Sequence, residues 1–228
     1  MICSIKELRS SIKKNKPSIG TWMQIPSPDI AEILSAANSY DWIVIDMEHG
    51  SFSRNNLSSI VRAIEINSVL PFVRLQSNKD YSVKSVVDCG FKGFIVPMTE
   101  SAEELEIIFD QFCYPPLGKR GVGFSRSNQF GINFKEKLEN QDPPFLVAMI
   151  ETMKGIENID NILNYKNIDA IIIGPYDLSA SLDICGQFEN RIFIEAYNFI
   201  IKKCKENNIP YGIHLIEPSN KKLEETIK

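Results

Sequence analysis

Short apolar runs rich in β-branched and aromatic residues alternate along this chain with longer amphipathic stretches. Seven of the short runs predict strands, at residues 19–25, 42–47, 72–75, 93–97, 145–150, 170–173 and 211–215. Most are apolar without interruption, as expected of parallel strands covered on both faces. Between them, residues 27–37, 55–66, 79–89, 102–112, 156–163 and 190–206 carry apolar positions at helical spacing, and 219–228 reads as the helix after the seventh strand. Strand and helix succeed each other roughly every 25–30 residues, the length of one βα unit in a TIM-type (β/α) barrel. No linker or shift of composition divides the chain, so one barrel domain over residues 1–228 is expected. A complete barrel has eight strands; the eighth and its terminal helix are not found before Lys228. A barrel left open there would expose two unpaired edges.

Composition narrows the function classes. The 228 residues carry a formal net charge of −4 and no basic stripe, which argues against nucleic acid. Lys13, Lys14 and Lys16 read as a solvated loop. No apolar run approaches the length of a membrane span, and the first residues lack the apolar core of a signal peptide. The five cysteines (Cys3, Cys89, Cys113, Cys185 and Cys204) are scattered and odd in number. That spacing suits reduced thiols in a cytoplasmic protein better than a disulfide framework or a structural zinc site.

Candidate chemistry gathers at the carboxyl ends of the strands, where barrel enzymes build their sites. Strand two ends Asp46-Met-Glu48-His49-Gly50, strand three ends Val73-Arg74, strand five ends Ile150-Glu151-Thr152 and strand six ends Gly174-Pro175-Tyr176-Asp177. Glu151 and Asp177 end neighbouring strands, so their carboxylates either share a hard cation such as Mg²⁺ or Mn²⁺ or serve as helix caps. His49 follows two acids and reads as a base or as a plain surface residue. Arg74 leaves an apolar strand, and a buried arginine needs either a structural acid or an anionic ligand. Gly174-Pro175 followed by the polar residues Tyr176 and Asp177 offers backbone N–H groups to a carboxylate. No lysine stands at a strand end, which leaves Schiff-base chemistry without a nucleophile. The irregular stretch 114–131, with Gly118, Gly121 and Gly123, reads as a functional loop or as a surface insertion.

These segments resemble the HpcH/HpaI family of class II, metal-dependent pyruvate aldolases. The resemblance rests on Gly20-Thr-Trp22, Ile45-Asp46-Met-Glu48-His49-Gly50, Phe72-Val-Arg74, Val96-Pro97-Met98, Tyr114-Pro-Pro with Arg120-Gly-Val-Gly123, Ile150-Glu151-Thr152 and Gly174-Pro-Tyr-Asp177, in the family's order. It implies cleavage or formation of 4-hydroxy-2-oxo acids to or from pyruvate and an aldehyde. A divalent ion (Mg²⁺ or Mn²⁺, with Co²⁺ as a further option) would be held by Glu151 and Asp177. Arg74 would face the enolate oxygen and His49 would handle the aldol hydroxyl proton, with Asp46 and Asp88 in support. Trp22 would line the pocket, and backbone at Gly174, Tyr176 and Asp177 would hold the pyruvate carboxylate. The resemblance also implies a homo-oligomer, a hexamer in relatives. Under this reading Arg74→Ala and His49→Ala are expected to keep the fold and lose turnover.

The chain departs from the family where Met149 replaces a polar residue and where His214 replaces an apolar one near the aldehyde. The second change suggests a polar, hydroxylated aldehyde. Two rival readings stand beside this one: a citrate-lyase-type enzyme acting on acyl-CoA thioesters, and a non-catalytic barrel serving as a binding component.

Overall fold

A computed structural model describes residues 2–79, 83–132, 134–215 and 219–227. Its strands are β1 (Gly20–Met23), β2 (Trp42–Asp46), β3 (Leu70–Arg74), β4 (Gly93–Val96), β5 (Phe145–Ile150), β6 (Ala170–Ile173) and β7 (Tyr211–Ile213). They form one seven-stranded sheet in chain order, parallel throughout. That is a partial TIM-type barrel, as the run lengths predict. Among the described residues no ladder joins β1 to β7.

Strand side chains alternate between two cores, and this alternation positions everything functional. Ile43 and Ile45, Val73, Phe94 and Val96, Leu146, Ala148 and Ile150, and Ile171 and Ile173 face outward into a core shared with the helices. Val44, Leu70, Phe72, Ile95, Phe145, Val147, Met149 and Ile172 face inward. Bulk is accommodated by register: Gly20 lies opposite Trp42, whose ring would meet a Cβ on Gly20 at 2.0 Å. Trp42 can therefore stack on Phe72, with centroids 5.6 Å apart, and Phe72 meets Phe145 at 5.7 Å. These rings fill the barrel floor.

Helix α1 (Ile5–Lys13) closes the amino-terminal end of this interior with Ile5 and Leu8. It precedes the first strand and is not among the predicted helices, although Ile5, Leu8 and Ile12 recur at helical spacing. Ser4 caps it by accepting from the Glu7 N–H, and Glu7 accepts in turn from the Cys3 N–H at 2.8 Å. Arg9 ties the helix to the sheet through two hydrogen bonds to Asp169, of 2.7 and 2.8 Å.

The outer layer comprises α2 (Pro28–Ala36), α3 (Arg54–Glu65), α4 (Val83–Asp88), α5 (Ala102–Asp110), α6 (Phe134–Glu139), α7 (Met153–Glu157), α8 (Ile159–Leu163), α9 (Pro175–Ser181), α10 (Arg191–Glu206) and α11 (Asn220–Ile227). Residues 80–82 of the predicted helix 79–89, and Lys228 of the last one, lie outside the described residues. The single helix expected at 156–163 is two short ones, α7 and α8, broken at Asn158, which has non-helical backbone angles. Short α6 and α9 had no periodic signal to announce them. Most of 114–131 is irregular, as expected, and ends in a 3₁₀ segment, Arg126–Gly131.

Candidate active site

Inward alternation continues past the last apolar layer, so each strand delivers its terminal polar residue to the same end of the barrel. Trp42, Val44 and Asp46 share the inner face of β2, as Leu70, Phe72 and Arg74 share that of β3. The β2–β3 register sets Asp46 directly beside Arg74. Both are buried, at 0% and 6% exposure, so a charge on either requires the other. Arg74 meets that need with a bidentate pair, donating from Nε to Asp46 Oδ1 at 2.9 Å and from Nη2 to Oδ2 at 2.7 Å. Its Nη1 ion-pairs with Glu48 Oε2 at 2.8 Å, and its guanidinium lies 5.0 Å over the Trp22 ring.

Asp46 is the hub of this end. Besides Arg74 it accepts from Gln24 Nε2 at 3.2 Å and from the backbone N–H groups of Glu48 and His49 at 3.1 and 3.2 Å. The last two shape the turn that carries His49. Burial alone would raise the Asp46 pKa; the hydrogen bonds and charge of Arg74, helped by Gln24 and the His49 N–H, outweigh it and hold the group below the ordinary carboxylate value. Glu48, with less help, is shifted upward, by burial first and then by Asp46 and Asp177, against Arg74 and His49.

Glu151 continues the inner face of β5 and is 1% exposed. Its Oε1 accepts from the Met98 N–H at 2.6 Å, whereas Oε2 is buried and has no hydrogen-bond partner among the described residues. Burial pushes its pKa up to about 7, with Glu48 and Asp177 adding to the rise and the Met98 N–H and Arg74 opposing it. Gly174, next along β6, explains why the carboxylate fits: a Cβ there would stand 2.3 Å from Glu151 Oε2. An orphaned carboxylate oxygen seated against glycine is what a bound cation would satisfy. Asp177 is exposed in the first turn of α9, and its charge is felt by both Glu151 and Glu48. Among the described residues no group of three His, Cys, Asp or Glu side chains has metal-binding geometry. Two carboxylates leaving further positions to water and substrate oxygens match Mg²⁺-type sites rather than an all-protein cage. The residues fit such an ion.

The other expected residues divide. His49 is exposed, and among the described residues its imidazole makes no hydrogen bond, although its charge acts on Glu48. His214, following β7, stacks on Trp22 with centroids 5.0 Å apart and planes 16° apart, and so links β7 to β1 through side chains. Burial of part of the ring and the charge of Arg74 lower its pKa, against Asp46. The Tyr176 ring is 52% exposed and turns to Phe188, 5.1 Å away, so only its backbone faces the strand ends. A cavity of about 340 Å³ opens beside it, but Ile173 and Ile213, both facing the helices, line that cavity, and it touches none of Asp46, Arg74 and Glu151.

Asp88 is not brought to this cluster. It ends α4 and accepts from Arg120 Nη2 at 2.6 Å, while the same nitrogen donates to Ser127 Oγ at 2.6 Å and the guanidinium lies 4.6 Å from the Tyr114 ring. That pair anchors the 114–131 loop. Glu48 and Gln24 are participants to which no role was assigned; their inward position on β-strand parity was the available signal.

A model of the family described as HpcH/HpaI aldolase/citrate lyase matches residues 18–224. A 4-hydroxy-2-oxovalerate aldolase of Novosphingobium aromaticivorans is 32% identical over 183 residues, 80% of this chain and 70% of the relative. A 5-keto-4-deoxy-D-glucarate aldolase of Escherichia coli (strain K12) is 29% identical over 208 residues, 91% of this chain and 81% of the relative. Among solved structures, an HpcH/HpaI aldolase from Desulfitobacterium hafniense DCB-2 superposes with a TM-score of 0.86 at 30% identity, covering 96% of this chain and 85% of that one.

Proposed function

The chain belongs to the HpcH/HpaI aldolase/citrate lyase family, and we propose that within it this protein is a class II pyruvate aldolase. It cleaves 4-hydroxy-2-oxo acids to pyruvate and an aldehyde, or forms them. The observation that carries this reading is the buried, half-satisfied carboxylate of Glu151, set at the same end of the barrel as the Arg74–Asp46 pair.

Glu151 and Asp177 would hold a divalent ion, Mg²⁺, Mn²⁺ or Co²⁺, which supplies positive charge next to the 2-oxo and carboxylate oxygens of the substrate. The protein's own groups do the rest. Backbone N–H groups at Tyr176 and Asp177 orient the substrate carboxylate; the Gly174 N–H is already donated to the Ile150 carbonyl at 3.2 Å, so Gly174 contributes room rather than a hydrogen bond. His49 takes the proton of the 4-hydroxyl as the C3–C4 bond breaks and the aldehyde forms. The electron pair left on C3 delocalises to the 2-oxo oxygen, where Arg74 stabilises the negative charge; C3 then takes up a proton to give pyruvate. Arg74 is preorganised for this, because Asp46, Glu48 and Trp22 fix its plane before substrate arrives. Asp46 also holds the His49 turn, coupling base and cation through one carboxylate. Asp88, joined to Arg120, would assist His49 only from outside this cluster of contacts.

His214 beside Trp22 supports an aldehyde carrying a hydroxyl group, since an imidazole kept neutral can both donate and accept a hydrogen bond. The exposed apolar side chains of the loop, Val122, Phe124, Phe130 and Ile132, each at least 63% exposed, support assembly into a homo-oligomer. Among the described residues no helix is long and apolar enough to cross a membrane. Five scattered cysteines, odd in number, favour a cytoplasmic enzyme, and the one continuous sheet favours a single barrel domain.

The test is pyruvate release from 4-hydroxy-2-oxo acids, coupled to lactate dehydrogenase, before and after chelation and metal add-back. Release that stops with chelator and returns with Mg²⁺ or Mn²⁺ is expected. Turnover of acyl-CoA thioesters alone, or of no substrate at all, would overturn the reading.

A further inference from the structure

We infer that Asn78 and the left-handed peptide at Met98 are positioning elements that aim Glu151 at the divalent ion; this rests on the metal-dependent reading above. Met98 follows β4 with φ of +48°, a conformation disfavoured for any residue with a Cβ. Such strain persists only where the surroundings enforce it. Two contacts do so. Asn78 Nδ2, from the loop after β3, donates to the Met98 carbonyl at 2.8 Å, and the next residue, Thr99, donates its N–H to the Met149 carbonyl at 3.1 Å.

The consequence falls on Glu151. With the Met98 torsion held at this value, the carbonyl on one side of its Cα stays on Asn78 while the N–H on the other side reaches Glu151 Oε1 at 2.6 Å and fixes one oxygen; among the described residues Oε2 is left buried and unpartnered against Gly174. An ordinary helical or extended conformation at Met98 would turn that N–H elsewhere and free the carboxylate to rotate. The Met98 side chain is 39% exposed, so it is the backbone of this residue, not its packing, that the site uses. Asn78 thus stands at the head of a relay: side-chain amide to the Met98 carbonyl, across the Met98 torsions to its N–H, N–H to carboxylate, carboxylate to metal. Metal ligands depend on such outer hydrogen bonds for orientation, and losing one commonly weakens metal affinity by about tenfold or more.

The experiment is Mn²⁺ titration of the metal-free full chain, read by the electron-spin signal of free Mn²⁺ well below the melting temperature. Asn78→Ala is expected to raise the Mn²⁺ Kd about threefold to tenfold, the worth of one net hydrogen bond. Met98→Val, whose branched side chain tolerates the left-handed conformation least, is expected to do the same. Adding Met98→Gly to Asn78→Ala should tighten binding again, because glycine keeps the N–H and adopts this conformation without a Cβ penalty. A purely structural role for these residues would lower the melting temperature and leave the Kd ratios alone. Equal Kd values for parent, Asn78→Ala and Met98→Val, or no recovery in the double variant, overturn the inference. A parent that binds no Mn²⁺ overturns the metal-dependent reading together with it.

Discussion

Replacing Arg74 by methionine tests the electrostatic design of the site more severely than an activity assay does. The side chain keeps its approximate length and loses its charge, so Asp46, fully buried, loses both of its 2.7–2.9 Å bonds to the guanidinium. Glu48 loses its 2.8 Å partner. Breaking a buried pair by removing one member costs about 3–5 kcal/mol, against a total stability of about 5–15 kcal/mol for a domain. A variant at Arg74 is therefore expected to keep the fold at reduced stability, because Arg74 is a strut of the buried cluster as well as the group proposed to face the enolate oxygen. Urea unfolding followed by fluorescence reads the loss directly, since Trp22 lies under Arg74 and Trp42 fills the barrel floor.

The pH dependence carries the sign. In the parent, Asp46 titrates below its ordinary value of 3.8 in the folded state. Its stabilising contribution is present above that value and lost only as pH falls through the depressed folded pKa, so Asp46 adds no slope between pH 5 and 8. Without Arg74, burial is opposed by Gln24 and two backbone N–H groups alone, and the folded pKa rises above the unfolded one. The folded variant then binds the extra proton, and its stability falls as pH rises toward the raised pKa. The deficit should be largest near pH 8 and shrink toward pH 5, and Arg74→Met with Asp46→Asn should recover most of it. A variant within 1 kcal/mol of the parent by the same assay, or a deficit independent of pH, would refute this account.

Other substitutions separate roles. His49→Ala should leave the melting temperature unchanged, as the side chain is exposed, and lower turnover about 10²–10⁴-fold in the coupled pyruvate assay; near-normal rates would remove it from the mechanism. Gly174→Ala places a Cβ 2.3 Å from Glu151 Oε2 and 2.9 Å from Met149 Cε, so the carboxylate must move by about 1 Å, a displacement that commonly costs about 10²-fold in rate; kcat/KM and Mn²⁺ affinity should fall together. His214→Leu should lower the ratio of kcat/KM for hydroxylated over plain alkyl aldehydes about threefold to tenfold in the condensation direction; an unchanged ratio would mean that the ring only bridges β1 and β7.

Much of the site was legible because barrel chemistry is tied to strand periodicity. A polar residue two positions beyond an inward apolar one must face the same interior, so Asp46, Arg74 and Glu151 could be picked out one strand at a time. The strands themselves were legible from unbroken runs such as Phe145–Ile150, found with the same bounds in the structure. Helix α1 precedes the first strand and so falls outside the βα alternation; its stripe of Ile5, Leu8 and Ile12 is helical in spacing, but that it plugs the amino-terminal end of the barrel is decided by the interior it covers. Asp88 shows the limit of that parity: it lies on α4 rather than at a strand end, and its carboxylate accepts from Arg120, a pairing that only the fold reveals.

The order of amino acids determined the class of fold and the inventory of charged groups at one end of it, since both follow from local periodicity that any neighbour would respect. The tertiary structure decided which groups share a partner. That Asp46 neutralises Arg74, that one Glu151 oxygen is occupied and the other vacant, and that Asn78 governs a peptide in another loop all depend on strand register and on contacts between residues distant in the chain. Those pairings are set by which burial leaves the fewest uncompensated charges, a condition defined over the whole assembled interior and written in no single segment.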